Sequence, residues 1–402
     1  MNQAQTLKGF RDFLPRQMAI RNRVISTLKR VFESYGFVEL ATPTLEYGEI
    51  LLGKYGEEAE KLMYLFKDQG NRQVGLKYDL TVPLARVMAQ YPNLTKPFKR
   101  YQIQPVFRAE NTQKGRYREL YQCDIDTVGT ASLSADAETL AVISDSLLAL
   151  GFTDFTIRVN SRKILATITD SAAVLQSLDK LDKKSVEEVK QELTTKGVSE
   201  KQITDIFAKL ESAIPDADLQ KVIDLAQDMG VTYIKFDPTL VRGLDYYTGT
   251  IFETVVTEPK IGSITGGGRY DNLIRSLDGP DLPAVGTSFG LDRLCDVIEE
   301  LNLWPDISPT SSQVLVTVFS AELATNSIRL GKELRQRGIN CEVYLDPEAK
   351  LDKQLKFASE KGIPYVVIIG PEEASRNVFR LKNMQTGDQE QLVLEELVSK
   401  IR

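Results

Sequence analysis

Between residues 17 and 35, apolar side chains recur every three or four positions: Ile20, Val24, Leu28, Val31 and Tyr35. That period predicts an amphipathic helix. Gly36 ends it, because glycine is favoured just past a helix C-terminus. A strand is expected at 37–41, ahead of Thr42-Pro43. A second is expected at 74–81, feeding a helix that starts near Pro83, a position where the missing amide costs nothing. Residues 100–108 and 118–128 read as strands, and the polar stretch 109–116 between them makes a long hairpin. A helix over 135–150 stops at Gly151, and a strand follows at 155–160.

From 161 to 228 the pattern changes to charged helices with little strand character, as in 185–195 and 199–214. This block reads as a helical insertion. Ser199 is a candidate N-cap, but Lys201 follows instead of Glu, so no full capping box is expected. Strands return at 231–237 and 249–257, then Gly266-Gly267-Gly268 and a strand-to-helix unit at 284–301. The Pro/Ser-rich stretch 304–312 marks a domain boundary, giving one domain at 1–312 and another at 313–402. The second alternates strand and helix: strands at 314–319, 341–345 and 365–369, helices at 321–337 and 351–361, then two short strands and a helix at 391–401. That order predicts a small sheet covered on both faces.

Composition narrows the function. With 42% hydrophobic and 26% charged residues in 402, the chain is ordinary for a globular protein of two or three domains. Runs such as Tyr365–Ile369 are too short to span a bilayer. Residues 1–9 are polar, without an apolar signal core. A cytoplasmic protein with no membrane partner is expected. Cys123, Cys295 and Cys341 are too far apart for a CxxC site or a disulfide framework. The chain has no histidine at all. Imidazole-dependent hydrolysis, His-ligated zinc and phosphohistidine chemistry are excluded. Catalysis is left to Arg, Lys, Tyr, carboxylates and bound metal. A net charge of -6 argues against a general nucleic-acid binder but allows a local basic surface.

Five stretches carry candidate chemistry. Arg108 ends a strand, and the loop beyond it holds Lys114, Arg116 and Arg118. Guanidinium groups there suit a phosphate, although from pattern alone a solvated hairpin is the better reading. On the returning strand Leu120, Gln122, Asp124 and Asp126 share one face. In Arg242-Gly-Leu-Asp-Tyr246-Tyr247, the arginine suits a phosphate and the hydroxyls a small polar ligand; a structural turn is the competing reading. Gly266–Gly268, before Arg269-Tyr270, allow close backbone approach, and taken alone read best as a tight packing turn. Arg293 falls in the first turn of a helix, where a guanidinium beside the positive terminus suits a polyphosphate; pairing with Asp292 or Asp296 is the alternative. Asp79 and Thr81, two apart on a strand, aim a carboxylate and a hydroxyl together at an ammonium group, and a helix N-cap is compatible with that.

The combination and order of these stretches resemble the class II aminoacyl-tRNA synthetases. The Arg108 hairpin is similar to their motif 2, Gly290-Leu-Asp-Arg293 to motif 3, and the first helix, strand and Pro43 to the dimer-forming motif 1. Arg242–Tyr247, Gly266–Tyr270 and residues 115–126 resemble peptides of the histidyl-tRNA synthetase family, and the likeness covers nearly the whole chain. It implies an α+β catalytic domain with an antiparallel sheet flanked by helices, a helical insertion, and a C-terminal α/β anticodon-binding domain. It implies ATP-dependent formation of histidyl-adenylate, then transfer of histidine to tRNA(His), by a homodimer with Mg²⁺ accompanying ATP. By the same resemblance Arg108, Glu110 and Arg293 lie at the ATP site, and Arg242 and Arg108 act in catalysis. Asp79, Thr81 and Gln122 bind the α-amino group. Asp126 and Tyr247 read the imidazole, with Tyr246 and Tyr270 nearby, and Arg242 borders the amino acid as well. Metal ligands are not specified, nor are roles for Glu119 and Asp245. Lys96, Lys99, Arg100, Lys114 and Arg116 are candidates for contacting tRNA. One departure is Tyr121, where the family often has histidine.

Other readings differ in class. The regulatory subunit of ATP phosphoribosyltransferase resembles this catalytic domain, but usually lacks the C-terminal domain and tends to lose the Arg242 peptide. Synthetases for proline, threonine or glycine are disfavoured by the peptides at 242–247 and 266–270. A stress-sensing tRNA-binding domain would come with a kinase segment.

Overall fold

The computed structural model describes residues 4–52, 60–112, 116–182, 184–242 and 246–402. The chain divides into two compact units. One holds Arg23–Leu303 with the N-terminal segment up to Asp12; the other holds Trp304–Arg402 with Phe13–Asn22.

The larger unit is built on eight strands: β1 (Val38–Glu39), β5 (Phe98–Phe107), β6 (Glu119–Val128), β7 (Phe155–Ser161), β8 (Ile234–Phe236), β9 (Thr250–Val256), β10 (Thr265–Arg269) and β11 (Ala284–Gly290). Their order across the sheet is β1-β5-β6-β11-β10-β9-β7-β8. The two outermost pairs are parallel and the rest antiparallel. The hairpin of β5 and β6 follows from two alternating segments around a polar loop.

Side chains alternate across a strand, so β6 has two distinct faces. Cys123 and Ile125 are fully buried on one. Phe289 is paired with Cys123 across β11, and Phe32 of the helix Pro15–Ser34 packs against its ring at 5.5 Å. That face is the core. Gln122, Asp124 and Asp126 belong to the other, which is left as the floor of a cleft. The helix Leu133–Leu150 is capped by Ser132 and stopped by Gly151 in the left-handed conformation (φ 93°), which glycine adopts without steric cost.

Several expectations need correction. The strand expected at 74–81 ends at Leu76, as β4 (Gln73–Leu76) of a small sheet with β2 (Leu45–Tyr47) and β3 (Leu65–Lys67). Neither β2 nor β3 was expected. Thr81 already opens the next helix, Thr81–Gln90, so Asp79 and Thr81 do not share a strand face. The three glycines lie inside strand β10 and form no turn. Ser199 does make a capping box, because the third helical residue is Gln202, whose side chain returns to the Ser199 amide. Lys201 is not the residue at the relevant position. Helices Arg162–Ile168, Ala172–Leu178, Val186–Thr195, Glu200–Ser212 and Ala217–Asp228 occupy the stretch between β7 and β8.

The second unit has β12 (Val314–Val316) between β13 (Cys341–Val343) and β14 (Tyr365–Ile368), both parallel to it. The strands β15 (Phe379–Asn383) and β16 (Gln389–Leu392) add antiparallel to β14. Two clusters bury its two faces, Val314, Val316 and Val367 in one and Leu315, Val366 and Ile368 in the other. A short helix, Pro371–Arg376, was not expected from the sequence. Among the described residues no helix is long and apolar enough to cross a membrane.

Candidate functional site

The floor of β6 opens into a cleft of about 900 Å³. Every described residue singled out for the amino acid or ATP lines it: Asp79, Thr81, Arg108, Glu110, Gln122, Asp126, Arg242, Tyr246, Tyr247, Tyr270 and Arg293.

One end is acidic and aromatic. Asp126 is buried, and the Tyr270 hydroxyl donates to its Oδ1. Arg100 Nη2 lies 2.7 Å from its Oδ2, as an ion pair and not as an aligned hydrogen bond, so that oxygen still lacks a hydrogen-bond partner. Tyr246 packs against Tyr247 at 4.9 Å and against Tyr270 at 5.8 Å. Burial pushes Asp126 up to about 6 and Asp124 up to about 7, with Arg100 opposing the rise in both. Gln122 donates to Ser288 Oγ at 2.9 Å. Gln122 Oε1, Asp124 Oδ1 and Asp126 Oδ2, on the same face of β6, are all buried without a hydrogen-bond partner. Native proteins rarely leave such atoms unsatisfied. Three on one cleft wall describe a surface built to receive a polar ligand.

Asp79 stands at the helix start, not on a strand. Its Oδ1 accepts from the Thr81 and Val82 amides at 3.1 and 3.0 Å, which is a capping arrangement. Its Oδ2 lies 3.5 Å from the Tyr246 hydroxyl. The cap fixes the carboxylate's direction, so capping and ligand binding are compatible here.

The other end is cationic. Arg108 donates from Nε to the Tyr78 carbonyl at 3.1 Å and lies over the Tyr78 ring at 4.5 Å. Arg293 donates to the Ser263 carbonyl at 2.5 Å. Burial, then the neighbouring Arg116 and Arg108, push its pKa down. Crowding of like charges with few counter-ions is what a polyanion relieves. Asp292 pairs with Arg11 at 2.6 Å. Arg242 is held by Glu253 at 3.1 Å and lies directly over Gly266. A Cβ at Gly266 would collide with its guanidinium, and one at Gly286 would collide with Asp126. The glycines therefore clear space for the two ends of the cleft.

Arg100 is the main correction among the basic residues. It is fully buried as the charge partner of Asp126 and cannot contact tRNA from the surface. Lys99 is paired with Glu138 at 2.6 Å, and Lys96 donates to the Pro92 and Leu94 carbonyls. Lys114, Gly115 and Gly243–Asp245 lie outside the described residues. Glu253 and Arg158 were missed. The signal for Glu253 was its parity on β9, which puts it opposite Gly266. Among the described residues no group of three Cys, Asp or Glu side chains is arranged to hold a metal ion.

The raised Asp124 predicts a pH effect. The folded state binds a proton between pH 4 and 7 that the unfolded state has released, so this group's contribution to stability falls as pH rises through that window. Asp124→Asn removes the buried charge. Its melting temperature relative to wild type is expected to be more favourable at pH 8 than at pH 5. An equal difference at both pH values would contradict the placement of an ionisable, buried Asp124.

Comparison with known proteins gives consistent results. The family model described as histidyl-tRNA synthetase matches residues 9–294, and that described as anticodon binding domain matches 313–402. The histidine–tRNA ligase of Cytophaga hutchinsonii is 39% identical over 98% of each chain. That of Aeropyrum pernix is 40% identical, covering 98% of this chain and 97% of the other. The crystal structure of histidyl-tRNA synthetase from Nostoc sp. PCC 7120 has a TM-score of 0.86 and 31% identity, covering 100% of this chain and 99% of that one.

Proposed function

The chain belongs to the histidyl-tRNA synthetase family, and from that premise we propose that it activates histidine with ATP and charges tRNA(His). The observation that carries this reading is the cleft's two-ended wall: unsatisfied acceptors beside three tyrosines at one end, guanidinium groups at the other.

In the first step a histidine carboxylate oxygen bonds to the α-phosphorus of ATP, and the bond to pyrophosphate breaks. Two anions must meet. Arg108 holds the α-phosphate and the carboxylate, Arg242 offsets the charge developing on the α-phosphate, and Arg293 holds the outer phosphates, with Glu110 bordering the nucleotide. Guanidinium groups fixed by the carbonyls and carboxylates above need little reorganisation at the moment of reaction. Bringing the reactants together in register supplies much of the remainder. No proton-transfer base is required, so a protein without histidine can carry out the step.

Asp79, Thr81 and Gln122 receive the α-ammonium group. Asp126 and Tyr247 read the imidazole, with Tyr246 and Tyr270 packed beside it. A side chain that cannot bond leaves these groups unsatisfied in a buried site, which is a strong basis for rejection. Mg²⁺ enters with the nucleotide, since it retains waters and binds polyphosphate with one or two carboxylates. Glu110, paired with Arg116 at 3.6 Å and lining the cleft, would be the carboxylate to hold it there. When bound, the ion neutralises polyphosphate charge.

The unit at 313–402 contacts the anticodon in this reading, and local basic surface supplies salt-sensitive affinity. The exposed Val38, Leu45 and Tyr47, in the region similar to motif 1, give a second copy an apolar surface. The assembled enzyme is a homodimer of twice the 45.1 kDa chain mass, which light scattering would report, and it works in the cytoplasm. A regulatory-subunit role is the weaker reading: the crystal structure of an ATP phosphoribosyltransferase regulatory subunit/histidyl-tRNA synthetase from Bacillus halodurans is 21% identical and shares the fold.

The test is acylation of total tRNA with ATP and each amino acid in turn. Histidine alone is expected in acid-precipitable tRNA. Absence of charging by a folded protein would contradict the reading and favour the regulatory one.

A further inference from the structure

Strand pairing puts a row of residues side by side across the cleft floor: Asp124 on β6, Ser288 on β11, Gly266 on β10, Glu253 on β9 and Arg158 on β7. Arg242 occupies the gap that Gly266 leaves. Its neighbour in the row, Glu253, is divided between two guanidinium groups. Oε2 takes Arg242 Nη1 at 3.1 Å and Oε1 takes Arg158 Nη1 at 3.0 Å. Arg242 Nε is buried with no hydrogen-bond partner, so this arginine keeps capacity for another anion.

Arg158 is fixed from two further directions. Its Nε donates to Asp237 at 2.7 Å, and Asp237 is itself held by the Thr239 amide and hydroxyl. Its terminal nitrogens meet both oxygens of Asp182, at 2.8 and 2.9 Å. Asp182 closes the short 3₁₀ turn Asp179–Asp182 inside the helical insertion. That turn is tied to the next helix by Lys180, paired with Glu192, and Lys184 beyond the turn pairs with the same carboxylate. A continuous chain of ion pairs runs from the insertion to the cleft.

We infer that Arg158 is a positioning residue for the activation step, keeping Arg242 available to the α-phosphate by holding one oxygen of Glu253, and that Asp182 links this hold to the insertion. The inference rests on the proposed synthetase activity. The physical reason is competition. A carboxylate whose two oxygens are both free forks onto a guanidinium. Without Arg158, Glu253 would take Arg242 with both oxygens and draw it toward the strand, away from the reacting phosphate. Misplacement by about 1 Å costs about 100-fold in rate.

The test is histidine-dependent ATP–pyrophosphate exchange on wild type, Arg158→Lys, Arg158→Lys with Glu253→Gln, and Asp182→Asn. Arg158→Lys is expected to lower kcat by about 10- to 100-fold, with KM for histidine and ATP within about twofold of wild type. Adding Glu253→Gln removes the competitor and is expected to raise kcat again. A purely structural role predicts the opposite, a further loss in the double variant. Asp182 is at the exposed rim, so its variant tests the insertion limb without a folding risk; a several-fold lower kcat is expected. Wild-type kcat in both single variants would overturn the inference, as would an additive loss in the double variant. Absence of histidine-dependent exchange in the wild type is a different result: it rejects the synthetase reading itself, and this inference with it.

Discussion

Arg242→Ala is expected to lower kcat for histidine-dependent ATP–pyrophosphate exchange by about 10²- to 10³-fold, the loss of about 3–4 kcal/mol of transition-state stabilisation. The guanidinium stands over a strand that carries no side chain at Gly266 and is anchored by Glu253. The proposed mechanism places it where charge develops as the carboxylate reaches the α-phosphate. In the proposed mechanism the same charge contributes less to binding the ground state, in which Arg108 and Arg293 would already meet the polyphosphate. KM for ATP should therefore move much less than kcat. A rise in KM with unchanged kcat would mean that Arg242 binds substrate uniformly and would remove it from the catalytic role.

The second large effect belongs to Asp126. Asp126→Asn keeps the shape and an oxygen for the Tyr270 hydroxyl, but removes the charge opposite Arg100. A hydrogen bond to a charged group contributes about 1.5–3 kcal/mol. KM for histidine is expected to rise by roughly 10- to 200-fold, with KM for ATP nearly unchanged, because the phosphate end of the cleft is formed by other residues. Steady-state exchange at varied histidine concentration reads this directly. An unchanged KM for histidine would show that Asp126 is only the counter-ion of Arg100.

How much of this could be read from residues alone varied with the local physics. The first helix, the long hairpin and the glycine-stopped helices were legible, because each has a period or a stop signal within a dozen residues. The cleft face of β6 was legible for the same reason: alternation from Arg118 put Gln122, Asp124 and Asp126 together before any fold was known. Arg100 was misread as surface, because a buried arginine looks like any other basic residue until its strand partner is fixed. Register then sets it opposite Asp126. The strands β2 and β3 have three residues each, too few to show alternation. Three consecutive glycines have no side-chain pattern, so a strand there was indistinguishable from a turn. Asp79 and Thr81 were placed on a strand because apolar neighbours continue past Leu76. The Asp79 cap shows that the helix had already begun. In the Arg158–Glu253–Arg242 chain, Arg158 and Glu253 are 95 positions apart in sequence, and only the sheet brings them into contact.

The central claim is that the acceptor-lined end of the cleft selects histidine for reaction at the guanidinium end. It is tested most directly by ATP–pyrophosphate exchange on the wild-type protein with each of the twenty amino acids supplied separately. The expected result is exchange with histidine and background rates with the other nineteen. Exchange driven by another amino acid, or none from a folded protein, would contradict it.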